Sequence, residues 1–352
     1  MENPIAPLST LMLDQPSYLD SLFGLVHSTE SLSSKGFVTT RLSEADLEKK
    51  RRCARCNILL IKEERRRSRQ KAFLAKQSVP STNPNSLQSK VTDEVDAIRM
   101  DQLQLKEPSK PAALCKFHDG KLVNKVVALK SPKWTCCDQH VMGPPCKEED
   151  EHKPEQRTLK EISSRWQYSA TPSTTTKETR KAVVIDCEMG TAASGDNELI
   201  RLTLIDYFSS DVLIDKFVWP DVPIQHLNTK WSGVTWKMMN EARNKRKCVF
   251  GWKNARSLVW KFVSSETIVI GHGVQSDLTS LRWIHPRLID TLIVERDNDD
   301  RKTGLSLKKL AEERLGRAIQ QGRGHDSLED AIATRDLLHW NVLKLTGGLT
   351  EA

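Results

Sequence analysis

A change in composition at Lys181 divides the chain into a polar half and an apolar half. Beyond it, AVVIDCEM, ELIRLTLIDYF and DVLIDKFVW predict three successive strands joined by short turns. TIVIGHG and RLIDTLIV predict two further strands, and helical patterns lie before, between and after them. Three strands followed by alternating helices and strands indicate an α/β fold with a mixed sheet.

Two acidic residues, Asp186 and Glu188, lie on the first of these strands, whose other residues are apolar. They are two positions apart, so both side chains point to the same face of the strand. Burying two acids is unfavourable unless a cation compensates their charge. A strand end that faces solvent could also carry both.

Two later motifs add two carboxylates and a histidine. Asp277 lies at a loop–helix junction in GHGVQSD, where it could be only a helix N-cap. His325 and Asp330 lie in HDSLED, and five helical steps would turn them about 140° apart. If Asp326 or Ser327 caps this helix, His325 lies on the preceding loop and can reach Asp330. Four carboxylates and a histidine then suit two divalent cations and a general base for an attacking water.

DCEMG, GHGVQSD and HDSLED together resemble the three motifs of the DEDDh 3′–5′ exonucleases, which have a ribonuclease H-like fold with helices flanking a mixed sheet. WSGVT, HPRLIDT and GLSLKKLAEERLG resemble connecting motifs of the eukaryotic RNA exonucleases that process ribosomal RNA precursors. The resemblance covers about residues 181–345. It implies a metal-dependent hydrolase that uses two Mg²⁺ or Mn²⁺ ions and releases nucleoside monophosphates from RNA.

The resemblance also assigns roles to the motif residues. Asp186 would bridge both metals, and Glu188 and Asp330 would complete the first metal site. Asp277 would hold the second metal, and His325 would be the general base.

Other residues of the C-terminal half lie near the expected substrate. The resemblance places the backbone of Met189 and Gly190 beside the terminal nucleotide. Trp231, Trp236 and Trp252 flank the substrate side and could stack on bases, although packing in the core is the commoner role of Trp. Asp290 also matches an acid of the family, and we interpret it as structural.

Six cysteines and two histidines of the polar half have the residue types and number needed for one or two tetrahedral zinc sites. These candidate ligands are Cys53, Cys56, Cys115, His118, Cys136, Cys137, Cys146 and His152. A Pro- and Lys-rich segment with little apolar content would need metal to fold. Scattered free thiols are the alternative, with His140 as an equally placed spare ligand.

The pattern CKFHDG…WTCC…C…H resembles a zinc module of the CHORD type. This sequence departs from that pattern at Asp119, where Pro is usual. It also departs in the 58 residues that separate Cys56 from Cys115. Cys53 and Cys56 could therefore lie on a basic helix and bind no metal.

Changes in composition predict the domain organisation. We expect a disordered tail at 1–40, with a short amphipathic helix as the alternative, and then a basic helical segment with a CxxC at 41–78. A linker at 79–110, a zinc module at 111–156 and a second linker at 157–180 follow. The exonuclease domain is expected at 181–347.

The positive charge is concentrated outside the predicted nuclease. The chain has a net charge of +8, and residues 41–76 contain 13 Lys and Arg against 5 Asp and Glu, a surplus equal to the whole net charge. KKRR and RRRSRQK are typical of nuclear import or phosphate binding, with a solvated charged helix as the alternative. The family resemblance implies a nuclear or nucleolar protein.

Partners and compartment follow from the same observations. No apolar run approaches the length of a transmembrane helix, and few cysteines without a signal peptide predict a reduced, intracellular protein with no membrane partner. RNA is the expected partner, but a DNA-directed exonuclease is the rival, because the motifs do not distinguish ribose from deoxyribose. An adaptor whose zinc module binds a protein partner is the rival from another class.

Overall fold

The computed structural model describes residues 15–61, 68, 115–123, 133–140, 143–297, 305–322 and 324–347. They fall into two compact units. The larger unit combines Met1–Leu47 with Thr158–Ala352, and the smaller unit is Glu48–Arg157. The linker predicted at 79–110 lies outside the described residues. None of the helices in the described ranges is long and apolar enough to span a membrane.

The helices of the described residues are α1 (Pro16–Gly24), α2 (Thr29–Ser34), α3 (Glu44–Glu48), α4 (Leu159–Trp166), α5 (Thr229–Ser232), α6 (Trp236–Asn244), α7 (Gly251–Val259), α8 (Gln275–Ser280), α9 (Thr291–Asp297), α10 (Leu307–Leu315) and α11 (Ser327–Leu345). The strands are β1 (Cys115–Phe117), β2 (Leu122–Val123), β3 (Lys133–Trp134), β4 (Lys147–Glu149), β5 (Ser169–Ala170), β6 (Ala182–Ala192), β7 (Asn197–Asp206), β8 (Val212–Trp219), β9 (Ile224–His226), β10 (Val249–Phe250), β11 (Ile268–Gly271), β12 (Trp283–Ile284) and β13 (Leu288–Asp290).

The larger unit is built on a mixed sheet with the strand order β10-β8-β7-β6-β11-β13, and β9 pairs with the end of β6. β6, β7 and β8 are antiparallel neighbours, whereas β11 runs parallel to both β6 and β13. Helix α7 packs on one face of the sheet and α11 packs on the other. The prediction of a ribonuclease H-like α/β fold with helices flanking a mixed sheet is confirmed.

The alternation along β6 decides where its acids point. Val183 and Ile185 belong to the apolar cluster on the α7 side, whereas Val184 belongs to the cluster on the α11 side. Because side chains alternate with a period of two, Asp186 and Glu188 follow Val184 and face α11.

The N-terminal residues from 15 onward belong to the larger unit, so the disordered tail predicted for 1–40 is wrong over that part. In α1, Tyr18 and Leu22 are one helical turn apart, and both are buried in the cluster on the α11 side. The Tyr18 hydroxyl also lies 2.7 Å from the Tyr207 hydroxyl. The alternative, a short amphipathic helix, is therefore confirmed, and tertiary contacts fix it.

The linker predicted for 157–180 is also wrong in its first half, where α4 and β5 form. Thr158 begins α4 with a capping box: its Oγ1 accepts from the Glu161 N–H at 3.3 Å, and the Glu161 carboxylate accepts from the Thr158 N–H at 2.7 Å. The helix mixes charged, serine and apolar residues, and Ile162 is its buried side chain. A single buried side chain gives no apolar periodicity, so the composition of this segment resembles that of a linker.

His285 is a buried histidine of the larger unit whose surroundings favour the neutral ring. Its Nε2–H donates to the Thr267 carbonyl at 2.7 Å, and its Nδ1 lies 2.8 Å from Oγ1 of Thr171. Burial lowers the pKa of His285 from 6.5 to about 4.

We therefore expect the free energy of unfolding to fall by about 3 kcal/mol between pH 6.5 and pH 4 on account of His285. The unfolded ring takes up a proton as the pH falls through 6.5, whereas the folded ring does so only near 4. The contribution is thus complete above pH 6.5 and is lost below it. Urea unfolding across this range should show a shallower pH dependence for His285→Gln, and an unchanged dependence would contradict the assignment.

The described part of the smaller unit contains short strand pairs and turns, with helical residues at 60–61 and 68. β1 pairs with β4 and β2 pairs with β3, both antiparallel. A small buried cluster contains Cys53, Cys115 and Phe117. Among the described residues of this unit, apolar burial on this scale contributes little to stability, which favours a structural metal.

The CxxC of this unit lies in a turn, so the helix predicted across 41–78 is wrong at this point. Helix α3 ends at Glu48, and residues 54–56 form a turn between the bridged residues Arg52 and Leu59. The turn places both cysteine side chains on one side of the chain, an arrangement typical of metal-binding CxxC motifs.

Two of the basic residues in KKRR have structural contacts. Arg51 donates through Nη1 to the carbonyls of Glu155 at 3.0 Å and Arg157 at 2.8 Å, and Arg52 is 5% exposed and donates to the Asn57 carbonyl at 2.6 Å. The predicted role of the basic segment in import or phosphate binding therefore depends mainly on RRRSRQK, which, apart from Ser68, lies outside the described residues.

Candidate active site

Asp186 and Glu188 face the N-terminal part of α11 from strand β6. Burial, and then the charges of Asp277, Asp330 and Glu188, raise the pKa of Asp186 well above its usual value. Burial and the charge of Asp330 raise the pKa of Glu188 to about 8. Among the described residues, nothing hydrogen-bonds to the buried Glu188 Oε1. The acids therefore repel one another in the absence of a cation.

Asp277 joins this cluster from helix α8. Val274 is the N-cap of that helix, so the alternative that Asp277 is merely a cap is wrong. Asp277 is buried, and burial raises its pKa to about 7. The preceding turn is held by Asp290, whose Oδ1 accepts from the Gly273 N–H at 2.8 Å and whose Oδ2 accepts from the Val274 N–H at 3.1 Å. These contacts agree with the structural interpretation of Asp290.

His325 and Asp330 meet because a helix begins between them. Asp326 is the N-cap of α11, and its Oδ1 accepts from the Leu328 N–H at 3.0 Å. His325 therefore lies on the preceding loop, with its Nδ1 3.5 Å from Oδ2 of Asp330. The backbone N–H of His325 donates to the Trp231 carbonyl at 2.6 Å, which fixes the loop. This is the arrangement that a cap at Asp326 predicts.

Gln320 is a site residue that the sequence did not indicate. Its Nε2 lies 3.0 Å from both carboxylate oxygens of Asp330, and its backbone N–H donates to the Glu329 carboxylate at 2.8 Å. Its φ of 55° is in the left-handed region, which few residues other than Gly adopt. Gln320 thus orients Asp330 from the α10–α11 loop, and no periodicity or motif marks a lone glutamine for this role.

The backbone of Met189 and Gly190 continues β6 beyond the acids. Asn228 supports it, since Nδ2 donates to the Met189 carbonyl at 3.2 Å and to Oγ1 of Thr191 at 3.1 Å. A Cβ at Gly190 would lie 2.9 Å from the His226 carbonyl oxygen, so this close approach requires glycine.

The three tryptophans predicted on the substrate side differ in exposure. Trp252 is buried in the core on the α7 side, as the commoner role of Trp predicts. Trp231 is 63% exposed and Trp236 is 45% exposed, so packing in the core does not explain these two.

The carboxylate site has the chemistry of a divalent-metal site. It gathers four acids whose pKa values burial raises and an acid oxygen without a protein partner. Arg201 is the cation that lowers the pKa of both Asp186 and Glu188, but its guanidinium is already paired with Asp215 at 2.9 Å and Asp326 at 3.1 Å. Hard cations with oxygen ligands would compensate the remaining charge.

The smaller unit holds the predicted zinc ligands in two groups of four. In the first group, Cys53, Cys56, Cys115 and His152 have ligand atoms that all lie within 4.8 Å of one another. The Sγ atoms of Cys53 and Cys115 are 3.6 Å apart, and Cys56 Sγ is 3.3 Å from His152 Nδ1. Sulfurs on a tetrahedral zinc are roughly 3.8 Å apart, so the spacing fits this metal. The distant CxxC is thus brought beside Cys115.

The second group consists of His118, Cys136, Cys137 and Cys146. Nδ1 of His118 is 3.4 Å from Cys137 Sγ, and Cys136 Sγ is 3.5 Å from Cys146 Sγ. The other ring nitrogen of His118 lies 3.4 Å from the Gly143 carbonyl, as is usual for a metal-binding histidine. The proposed spare ligand His140 is exposed and belongs to neither group.

Known proteins with similar sequences include RNA exonucleases. The sequence is 36% identical over 239 residues to RNA exonuclease 3 of Candida albicans, which is 66% of this chain and 54% of that protein. It is 32% identical over 239 residues to the putative RNA exonuclease pqe-1 of Caenorhabditis elegans, which is 65% of this chain and 14% of that protein. The chain is thus similar to RNA exonucleases over about two thirds of its own length. It spans about half the length of the Candida relative.

Similarity to solved structures covers about half of the chain. The catalytic unit of Neurospora crassa Pan2 aligns with a TM-score of 0.43 and 23% identity, over 51% of this chain and 30% of that one. No protein-family model matches the chain. The resemblance of its smaller unit to the CHORD type therefore stays a prediction.

Proposed function

We propose that the larger unit is a DEDDh-type 3′–5′ exoribonuclease that releases nucleoside monophosphates and acts in RNA processing, including that of ribosomal RNA. The observation that supports it most is the convergence of Asp186, Glu188, Asp277 and Asp330 from a strand and two helices, with His325 beside Asp330. RNA as substrate is supported by the names of the relatives. Nuclear or nucleolar residence is part of the same proposal.

The acids would hold two Mg²⁺ or Mn²⁺ ions. Asp186 would be the shared ligand, with Glu188 and Asp330 on one side and Asp277 on the other. Such ions supply charge neutralisation at the scissile phosphate and activation of water.

The remaining groups orient the site and move the proton. The contact of His325 Nδ1 with Asp330 leaves Nε2 as the atom that takes the proton from the attacking water. His325 is about two-fifths exposed, so it can pass this proton to solvent. The backbone of Met189 and Gly190 would bind the terminal nucleotide.

For the smaller unit we propose two structural zinc ions and a role in recruiting substrate or a protein partner. The metal ligands of the proposed nuclease all lie in the other unit. Zinc would therefore stabilise the fold of this module and would take no part in the hydrolysis.

A matched pair of single-stranded oligomers, one RNA and one DNA of the same sequence, tests the substrate class. With Mn²⁺ and the full chain, we expect the RNA to be degraded at least 10-fold faster. Equal rates, or faster degradation of DNA, would support the DNA-directed rival and contradict an exoribonuclease.

A further inference from the structure

An exposed aromatic and basic surface lies beside the carboxylate site and is not used by the hydrolysis. A groove of about 400 Å³ is lined by residues 225–231 and Trp236. Trp231 and Trp236 expose 63% and 45% of their surface, an unfavourable state for the largest apolar side chain unless a ligand covers it. The volume is within the range of pockets that bind one small molecular group, such as a nucleotide.

The charge around these rings is positive. The Lys230 ammonium lies 5.0 Å from the centroid of the Trp231 ring. Trp236 packs on Trp219 with centroids 6.2 Å apart, and the Arg243 guanidinium lies 4.5 Å from the centroid of Trp219. Alternating rings and cations are the composition of surfaces that bind single-stranded nucleic acids, where bases stack and cations bind phosphates.

This surface is rigidly joined to the catalytic loop. The Trp231 carbonyl accepts the backbone N–H of His325 at 2.6 Å. A Cβ on Gly324 would lie 2.5 Å from the Cα of Gly233, so the two loops are in close backbone contact. On the other side, Asn228 is bonded to the Met189 carbonyl. The exposed rings are therefore held at a fixed position between the proposed nucleotide site and the catalytic histidine.

We propose that Lys230, Trp231 and Trp236 form a stacking site for unpaired bases that precede the 3′-terminal nucleotide. This inference rests on the proposed function. Every base presents a π face, so the site tolerates any sequence. Bases within a duplex are already stacked and paired, so the site selects substrates with a single-stranded 3′ end.

The test measures KM, kcat and Kd for the full chain with RNA of two kinds, a single strand and a duplex with a blunt end. The variants are Trp231→Ala, Trp231→Phe and, as a matched control, Trp340→Ala. Trp340 also lies beside a cation, with Lys344 5.5 Å from its ring, but it is ten residues beyond Asp330 on α11, about 15 Å along the helix.

For the single strand, we expect Trp231→Ala to raise KM and Kd about 10-fold with kcat within about twofold, and Trp231→Phe to retain most of the affinity. The preference of the native chain for the single strand over the blunt duplex should fall by the same factor. Trp340→Ala should match the native chain.

Equal Kd values for the native chain, Trp231→Ala and Trp340→Ala would overturn the stacking site. A contact with another protein would then be the remaining explanation of the exposed rings. A native chain that binds the single strand through Trp231 but hydrolyses neither RNA would instead contradict the proposed function. The affinity measurement thus separates the two failures.

Discussion

Replacing Asp186 by Asn is expected to reduce hydrolysis of RNA by about 1,000-fold or more without unfolding the protein. Asp186 is the acid whose pKa responds to the charges of Asp277, Asp330 and Glu188 alike, which places it at the centre of the cluster. A lost interaction with a divalent ion removes several kcal/mol from the stabilisation of the transition state. Single-turnover degradation of a labelled RNA measures the effect.

The same substitution should leave the thermal midpoint unchanged or raise it, because it removes one of four buried acids whose ionised forms repel one another. Asp336→Asn is the matched control, since this acid on α11 pairs with Arg317 and Arg335 outside the cluster. It should retain hydrolysis within about twofold. Normal hydrolysis by metal-loaded Asp186→Asn would refute the assignment of the shared ligand.

Replacing Cys53 by Ser is expected to remove one of two zinc ions and to unfold much of the smaller unit. Cys53 is buried and belongs to the first ligand group, where burial and the neighbouring Cys53 and Cys56 raise the pKa of Cys115 to about 12. Thiols that resist ionisation in this way become thiolates when a dication is bound. Structural zinc supplies on the order of 10 kcal/mol to modules that cannot fold alone.

Zinc content by mass spectrometry under native conditions measures this prediction. Native chain should bind two zinc ions, and Cys53→Ser and Cys136→Ser should bind one each, because they belong to different groups. Cys248→Ser lies outside both groups and should bind two. A Cys53→Ser protein that still binds two zinc ions with unchanged affinity would contradict the grouping. Hydrolysis of RNA should persist in all three variants.

The positions of the clustered acids could be predicted because local geometry determines them. The period of two on β6 puts Asp186 and Glu188 on one face, and a cap at Asp326 puts His325 beside Asp330. For the polar half, the sequence predicts which residue types bind metal, but it does not predict which residues come together. That Cys53 and Cys115 belong to the same ligand group could not be predicted, because the spacing of distant cysteines does not tell which of them share a metal.

The elements that sequence reasoning missed are stabilised by distant contacts. Helix α1, which the sequence indicated only as the alternative to disorder, is fixed by Tyr18 against Tyr207. Helix α4 is fixed in part by Arg282, which lies 5.0 Å from the ring centroid of Trp166. Gln320 depends on a left-handed backbone conformation in a loop. The sequence left the exposure of Trp231 undecided because the preference of Trp for the core is an average, and this position faces a groove.

The direction of degradation is the most direct test of the proposed exoribonuclease. Native chain, Mn²⁺ and a single-stranded RNA labelled at its 5′ end should give labelled products that shorten one nucleotide at a time, together with unlabelled nucleoside 5′-monophosphates. Immediate release of the labelled nucleotide, or a first product cut in the middle of the strand, would contradict a 3′–5′ exonuclease.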